Sequence, residues 1–164
     1  MSLLSPDLYY VSVNTIDLDE LQRRGVRHLL LDLDNTLKPR DVSAVPSEVQ
    51  EWVDMLPKRG MAACLVSNNW HGYVASIAED IGLPIVAKAL KPFPSAFRKG
   101  LQVLGATADS AAVVGDQVFT DVLGGNLLGM TTVLVQPQSR TDLPHTLLLR
   151  RIERHVLAGR EPLA

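Results

Sequence analysis

The chain has 164 residues, an apolar fraction of 46% and a net charge of −2, which suits one soluble domain around a single core and gives no footing for nucleic acid as a partner. Cys64 is the only cysteine, so an internal disulfide is excluded and a reducing cytoplasm is the expected setting. No basic-then-apolar leader opens the sequence, and no apolar run approaches the ~20 residues that span a bilayer.

Helix-like and strand-like segments alternate. In chain order the reading is a helix over 17–24, a strand over 28–33, a helix over 46–58, a strand over 61–66 and a helix over 70–81. A strand over 84–87, a helix over 94–104, a strand over 111–115, a helix over 119–128, a strand over 131–135 and a helix over 143–157 follow. Gly82 and Gly105 mark two helix stops. The alternation predicts an α/β fold, a parallel sheet of about five strands with helices on both faces, formed by residues 1–164 as a single domain. Ligands of such sheets bind outside the carboxyl ends of the strands. Cys64 is expected to be a buried thiol, and Leu3-Leu4 and Tyr9-Tyr10 to be core cover.

Residues 29–36 read Leu-Leu-Leu-Asp-Leu-Asp-Asn-Thr. Residues two apart on a strand share one face, so a strand ending before Asp34 leaves Asp32 at its mouth and Asp34 on the loop beyond. Carboxylates this close repel unless a cation lies between them, and hard oxygen donors imply Mg²⁺. A carboxylate so neutralised can attack a phosphate dianion and form an aspartyl-phosphate. Asp-x-Asp pairs also occur in solvated loops and helix caps, and three later segments decide the matter.

The run 62–66 ends at Ser67-Asn68-Asn69, whose hydroxyl and amide groups can bond phosphate oxygens. Asn68 is retained as a phosphate contact, the other Asn residues being assigned to caps and turns. Ile85-Val86-Ala87 leads into Lys88-Ala89-Leu90-Lys91-Pro92. Pro92 suits a helix start, and the Lys91 ammonium beside it can hold nucleophile and phosphoryl group in register. The run 111–114 ends at Gly115-Asp116, with Gly115 permitting a tight exit, Asp116 as a further Mg²⁺ ligand and Asp121 close behind.

In this order, each after an apolar run, these motifs resemble the haloacid dehalogenase (HAD) superfamily of phosphatases. The stretches Leu-Asp-Leu-Asp-Asn-Thr-Leu from Leu31, Val-Ser-Asn-Asn from Val66, Lys91-Pro92, Gly-Asp-Gln-x-x-Thr-Asp-x-x-Gly-Gly-Asn from Gly115 and Arg-Arg-Ile-Glu-Arg from Arg150 are similar to the bacterial YqeG family. That family is related to the mitochondrial phosphatidylglycerophosphatases. The resemblance covers nearly the whole chain, departing at Trp70 and Leu90, where a polar and a basic residue are expected. It implies a three-layer Rossmann-like fold, the fifth and fourth strands lying on one side of the first and the second and third on the other. It also implies Asp32 as nucleophile, Asp34 as acid and base, and Ser67 and Lys91 as binders of the transferring group. Asp32, Asp116 and the main-chain carbonyl of Asp34 would hold Mg²⁺, with Asp121 either a ligand or an orienting group. Thr36 is read as a turn-stabilising hydroxyl. A phosphoryl-transfer ATPase of this superfamily would carry Thr in place of Asp34.

Residues 37–66 and 68–90 have room for a loop, a helix and a strand, and for no cap domain. An open site favours a large substrate such as a lipid surface, a protein or a nucleic-acid end. Oligomerisation could also close it, though nothing indicates an oligomer. Over 143–157, Leu148, Ile152 and Val156 form a stripe among Arg150, Arg151, Arg154 and His155. The stripe is expected to pack on the sheet, although a basic amphipathic helix also suits anionic lipid. Trp70 is expected to be buried against a helix and His71 to be solvated.

The resulting expectation is a Mg²⁺-dependent phosphomonoester hydrolase, cytoplasmic or peripheral on the inner face of the membrane. The resemblance points to phosphatidylglycerophosphate as substrate. A soluble sugar or nucleotide monophosphate is the alternative. A phosphate-receiving signalling domain lacks the acid two residues on, so Asp34 argues against it, and the filled catalytic positions argue against a module without turnover.

Overall fold

The computed structural model describes residues 2–139 and 144–164. One parallel sheet holds β1 (Leu8–Tyr10), β2 (His28–Leu31), β3 (Ala62–Val66), β4 (Ile85–Val86), β5 (Ala111–Gly115) and β6 (Thr131–Val135). Their order is β1-β6-β5-β2-β3-β4. The five expected strands stand as the resemblance implies, and β1 makes a sixth by pairing Leu8 with Val133 and Tyr10 with Val135. So short a strand offers almost no period to read, which is why Tyr9-Tyr10 passes for core cover.

β2 is central, paired with Ala62 to Leu65 on one side and Ala111 to Val114 on the other. A parallel strand so placed is buried on both faces and must be apolar throughout, as Leu29, Leu30 and Leu31 are. Leu29 and Leu31 pack into a core shared with α1 (Leu18–Arg23), α2 (Ser47–Lys58) and α3 (Tyr73–Ile81). Leu30 faces the other layer, with Phe97 and Leu101 of α4 (Pro94–Leu104). Strand alternation then sends Asp32 out on the α4 side, the side of Lys91. The second layer is completed by α5 (Leu123–Leu127) and α6 (Pro144–Val156).

Local chemistry sets the element ends. Asp17 caps α1 by accepting from the Asp19 and Glu20 N–H groups. α3 and α4 stop at Gly82 and Gly105, in the left-handed region with φ 73° and 62°. α4 begins at Pro94 rather than at Pro92, and the Lys91–Pro92 peptide is cis. The helix expected over 119–128 is a π-helical turn (Val118–Val122) followed by α5. α6 is described from Pro144, and its expected first residue, Leu143, lies outside the described residues. α2 fills the interval from β2 to β3 and α3 that from β3 to β4, leaving no inserted cap at either place. Among the described residues no helix is long and apolar enough to cross a membrane.

Of the stripe expected to pack inward on α6, only Val156 does so, against Val118, Val122 and Leu134. Leu148 is 62% and Ile152 48% exposed, whereas Thr146 and Glu153 are buried and Arg150 is largely covered. The charged groups turn inward because they find partners there. The Glu153 carboxylate accepts from the Val118 N–H at 2.7 Å, and Arg150 reaches Asp116. Trp70, expected under a helix, is 67% exposed.

Candidate active site

The loops leaving β2, β3, β4 and β5 meet at the carboxyl end of the sheet. Asp32 is fixed to the end of β5 by its N–H, which donates to the Val114 carbonyl at 2.9 Å. The Lys91 ammonium lies between two carboxylates, donating to Asp32 Oδ1 and Asp121 Oδ1 at 2.7 Å each. The Thr36 hydroxyl is 3.1 Å from Asp32 Oδ2 and 3.3 Å from Asp116 Oδ1, so it joins two acids, while main-chain bonds to the Leu33 carbonyl hold the turn. Gly115 also serves packing: a Cβ on it would overlap the Asp121 carboxyl, so the missing side chain makes room for that carboxylate at the exit of β5.

Asp32, Asp116 and Asp121 each bring a ligand oxygen within 4.8 Å of the others. Burial, then the Asp32 charge, raises the Asp116 carboxyl well above the usual range against the pull of Arg150. Burial also raises Asp121, to about 6, although Lys91 opposes this. Burial disfavours the Lys91 charge, but Asp121 and Asp32 outweigh it and hold the ammonium above the usual lysine range. Three carboxylates thus face two cations, Lys91 and Arg150, and repulsion remains. Hard oxygen donors converging on one point with unbalanced negative charge fit a divalent metal ion.

The Asp34 side chain is not in that cluster. Its Oδ1 accepts from the Lys38 ammonium at 3.0 Å and its Oδ2 from the Asn69 amide at 2.7 Å. Only its main-chain carbonyl is left for a metal. The Ser67 hydroxyl, buried at the end of β3, accepts from the Asn69 N–H at 3.1 Å. Asn68 binds Lys91 with both ends of its amide, accepting from the Lys91 N–H at 2.7 Å and donating to the Lys91 carbonyl at 3.1 Å. Both bonds hold Lys91 in place. Asp32, Asp34, Ser67, Asn68 and Lys91 line one open cavity of about 600 Å³, with Trp70 and His71 at its side.

Known proteins match this chain. Residues 89–149 fit the HAD-hydrolase-like family. The chain is 34% identical over 154 residues to the Probable phosphatase YqeG of Bacillus subtilis, a match spanning 94% of this chain and 90% of that protein. The chain belongs to the YqeG family of HAD-type phosphatases. More distant similarity to that family's relatives follows. Identity is 25% over 168 residues with the Arabidopsis thaliana Phosphatidylglycerophosphate phosphatase 1, across 93% of this chain and 46% of that one. It is 28% over 149 residues with the mitochondrial Phosphatidylglycerophosphatase GEP4 of Saccharomyces cerevisiae, across 82% of this chain and 79% of that one. Among solved structures, the 3-deoxy-D-manno-octulosonate 8-phosphate phosphatase of Yersinia pestis superposes with a TM-score of 0.55 at 15% identity, over 90% of this chain and 93% of that one. The cobalt-bound enzyme of Haemophilus influenzae gives 0.54 at 14%, over 82% and 89%. At such identities the likeness is one of fold.

For this YqeG-family member, sequence reasoning missed three groups at the site. Lys38 is fully buried and holds Asp34. Arg150 donates to both the carbonyl and the carboxylate of Asp116. Glu153 secures the turn after β5 and also pairs with Arg150, at 3.3 Å. For the α6 pair a signal exists: Thr146, Arg150 and Glu153 recur at helical spacing, a polar face as regular as the apolar stripe. Lys38→Met leaves Asp34 without its buried cation and is expected to destabilise the protein by about 3 kcal/mol. Denaturant unfolding measures this, and an unchanged midpoint would mean the pair contributes nothing.

Proposed function

We propose that this chain hydrolyses phosphomonoesters through a phosphoryl group carried on Asp32, and that its substrate is the phosphorylated headgroup of a lipid, phosphatidylglycerophosphate. The observation that carries the chemistry is the Lys91 ammonium bonded at once to Asp32 and Asp121 beside an open cavity. An Asp32 oxygen attacks phosphorus, the bond to the ester oxygen breaks, and Asp34 in its protonated form gives its proton to the departing alkoxide. Asp34 then takes a proton from the water that attacks the acyl phosphate, and phosphate leaves with Asp32 restored. Lys38 holds Asp34 Oδ1 and the Asn69 amide its Oδ2, which fixes the orientation of the carboxyl for that exchange. Ser67 and Lys91 bind the phosphoryl oxygens and offset their charge. Asp32, Asp116 and the Asp34 carbonyl, with Asp121, would hold Mg²⁺, which would supply the positive charge that lets a dianion meet a carboxylate.

Two things support a lipid. The relatives from Arabidopsis thaliana and Saccharomyces cerevisiae bear phosphatidylglycerophosphatase names, and the site has no inserted cap to enclose a small metabolite. The deciding experiment is phosphate release from phosphatidylglycerophosphate in mixed micelles, with and without Mg²⁺, beside a panel of soluble phosphomonoesters. The expected result is metal-dependent cleavage of the lipid well above every soluble ester. Faster cleavage of a sugar or nucleotide monophosphate would keep the mechanism and remove the lipid.

A further inference from the structure

The apolar side chains that α6 leaves outside need a partner. Its inward face is Thr146, Leu149, Arg150 and Glu153, and its outward face sets Leu147, Leu148 and Ile152 among exposed Arg151, Arg154 and His155. Glu153 is the only acid of the helix, and it is turned inward. On an acidic protein, this face is therefore basic and apolar. Thr146 and Leu149 border the same cavity as Trp70, so α6 stands across the site from the loops after β3 and β4. Those loops are tied together: the Ala89 N–H donates to the Ser67 carbonyl at 3.0 Å and the Lys88 N–H to the Asn69 carbonyl at 3.4 Å. They expose Trp70 (67%), Leu90 (55%) and Phe93 (65%), with the Lys88 ammonium 5.6 Å from the centre of the Trp70 ring.

We infer that α6 and these two loops form a docking face that seats the mouth of the site on an anionic lipid bilayer. The inference rests on the lipid-phosphatase reading. A lipid phosphate sits at headgroup level while its acyl chains stay in the bilayer, so an enzyme that reaches it must press the rim of its site against the interface. Indole, phenyl and leucine side chains enter that layer, and long cationic side chains keep their charge at the headgroups. The residues on both sides of the cavity are of these kinds. A second protein seated across the same rim would instead close the cavity's mouth to its substrate.

The test is sedimentation of the full chain with vesicles of phosphatidylcholine alone and of phosphatidylcholine with phosphatidylglycerol, neither containing a phosphomonoester. Binding is expected only to the anionic vesicles, weakening with salt, with a blue shift of Trp70 emission. Arg151→Gln with Arg154→Gln should weaken it roughly 25-fold, roughly fivefold for each cation removed. Leu148→Ser with Ile152→Ser should also release the protein, and both pairs should cleave a soluble phosphomonoester at the parental rate. Failure to bind anionic vesicles, or binding unaltered in both pairs, overturns the docking face, as does a concentration-dependent dimer that these pairs dissolve. The phosphatase reading is separate, since vesicle binding without cleavage of any ester would overturn that reading and uphold the face.

Discussion

Asp32→Asn is expected to lower phosphate release by a factor on the order of 10⁴ or more and to leave the fold standing. An amide is no nucleophile toward phosphorus, and the neighbouring acids are not placed to replace it. Asp121 is occupied by Lys91, the Gln117 N–H and the Thr120 hydroxyl, and Asp116 is covered by Arg150. The fold survives for an electrostatic reason. Asp116 and Asp121 have carboxyls raised by burial and, further, by the Asp32 charge. An acid raised in the folded state lends stability at low pH and loses it as pH climbs through the folded value, for Asp121 about 6. Neutralising Asp32 removes part of that loss near neutrality and offsets the missing bond to Lys91. A melting temperature close to the parent's, measured without metal, should therefore accompany the inactive protein. Substantial residual turnover would remove Asp32 as the nucleophile.

Asp34→Asn is expected to fail differently. Acid and base catalysis by a placed side chain is worth roughly 10²–10⁴-fold per step, and here one residue serves both steps. With an activated leaving group the first step needs little help from an acid, but the second still needs a base for water. The variant should thus release one equivalent of alcohol quickly and then stall as a phosphoenzyme. Rapid-quench measurement of alcohol against phosphate separates the two steps. Equal and undiminished release of both would take Asp34 out of the reaction.

What could be read in the sequence, and what could not, follows from how each residue is held. Asp32, Asp34 and Asp116 were legible because a strand buried on both faces must be apolar to its end, so a carboxylate terminating such a run stands out. Ser67 was legible by the same rule at β3 and Lys91 by the Lys-Pro pair that follows a short apolar run, whereas the sheet order came from the family resemblance and not from spacing. Lys38 was not, because a lysine beside Pro39 and Arg40 looks like any solvated turn, and only the folded loop shows its ammonium enclosed against Asp34. The facing of α6 is hidden in the sequence for a related reason. Two stripes have helical spacing, and a rule that buries Leu148 and Ile152 cannot foresee that Arg150 and Glu153 find carboxylate and main-chain partners inside. Trp70 shows the same limit: its exposure depends on the loop from Asn69 to Gly72, which delays α3 to Tyr73.

The most direct test of the mechanism is to stop Asp34→Asn protein in acid during turnover of its best phosphomonoester and map the phosphoryl group by mass spectrometry. An acid-stable, hydroxylamine-labile phosphate on the peptide containing Asp32, and absent from the Asp32→Asn, Asp34→Asn double variant, is the predicted result. A phosphate on any other side chain, or a wild-type protein that turns over while no phosphorylated Asp32 is ever trapped, would contradict the account.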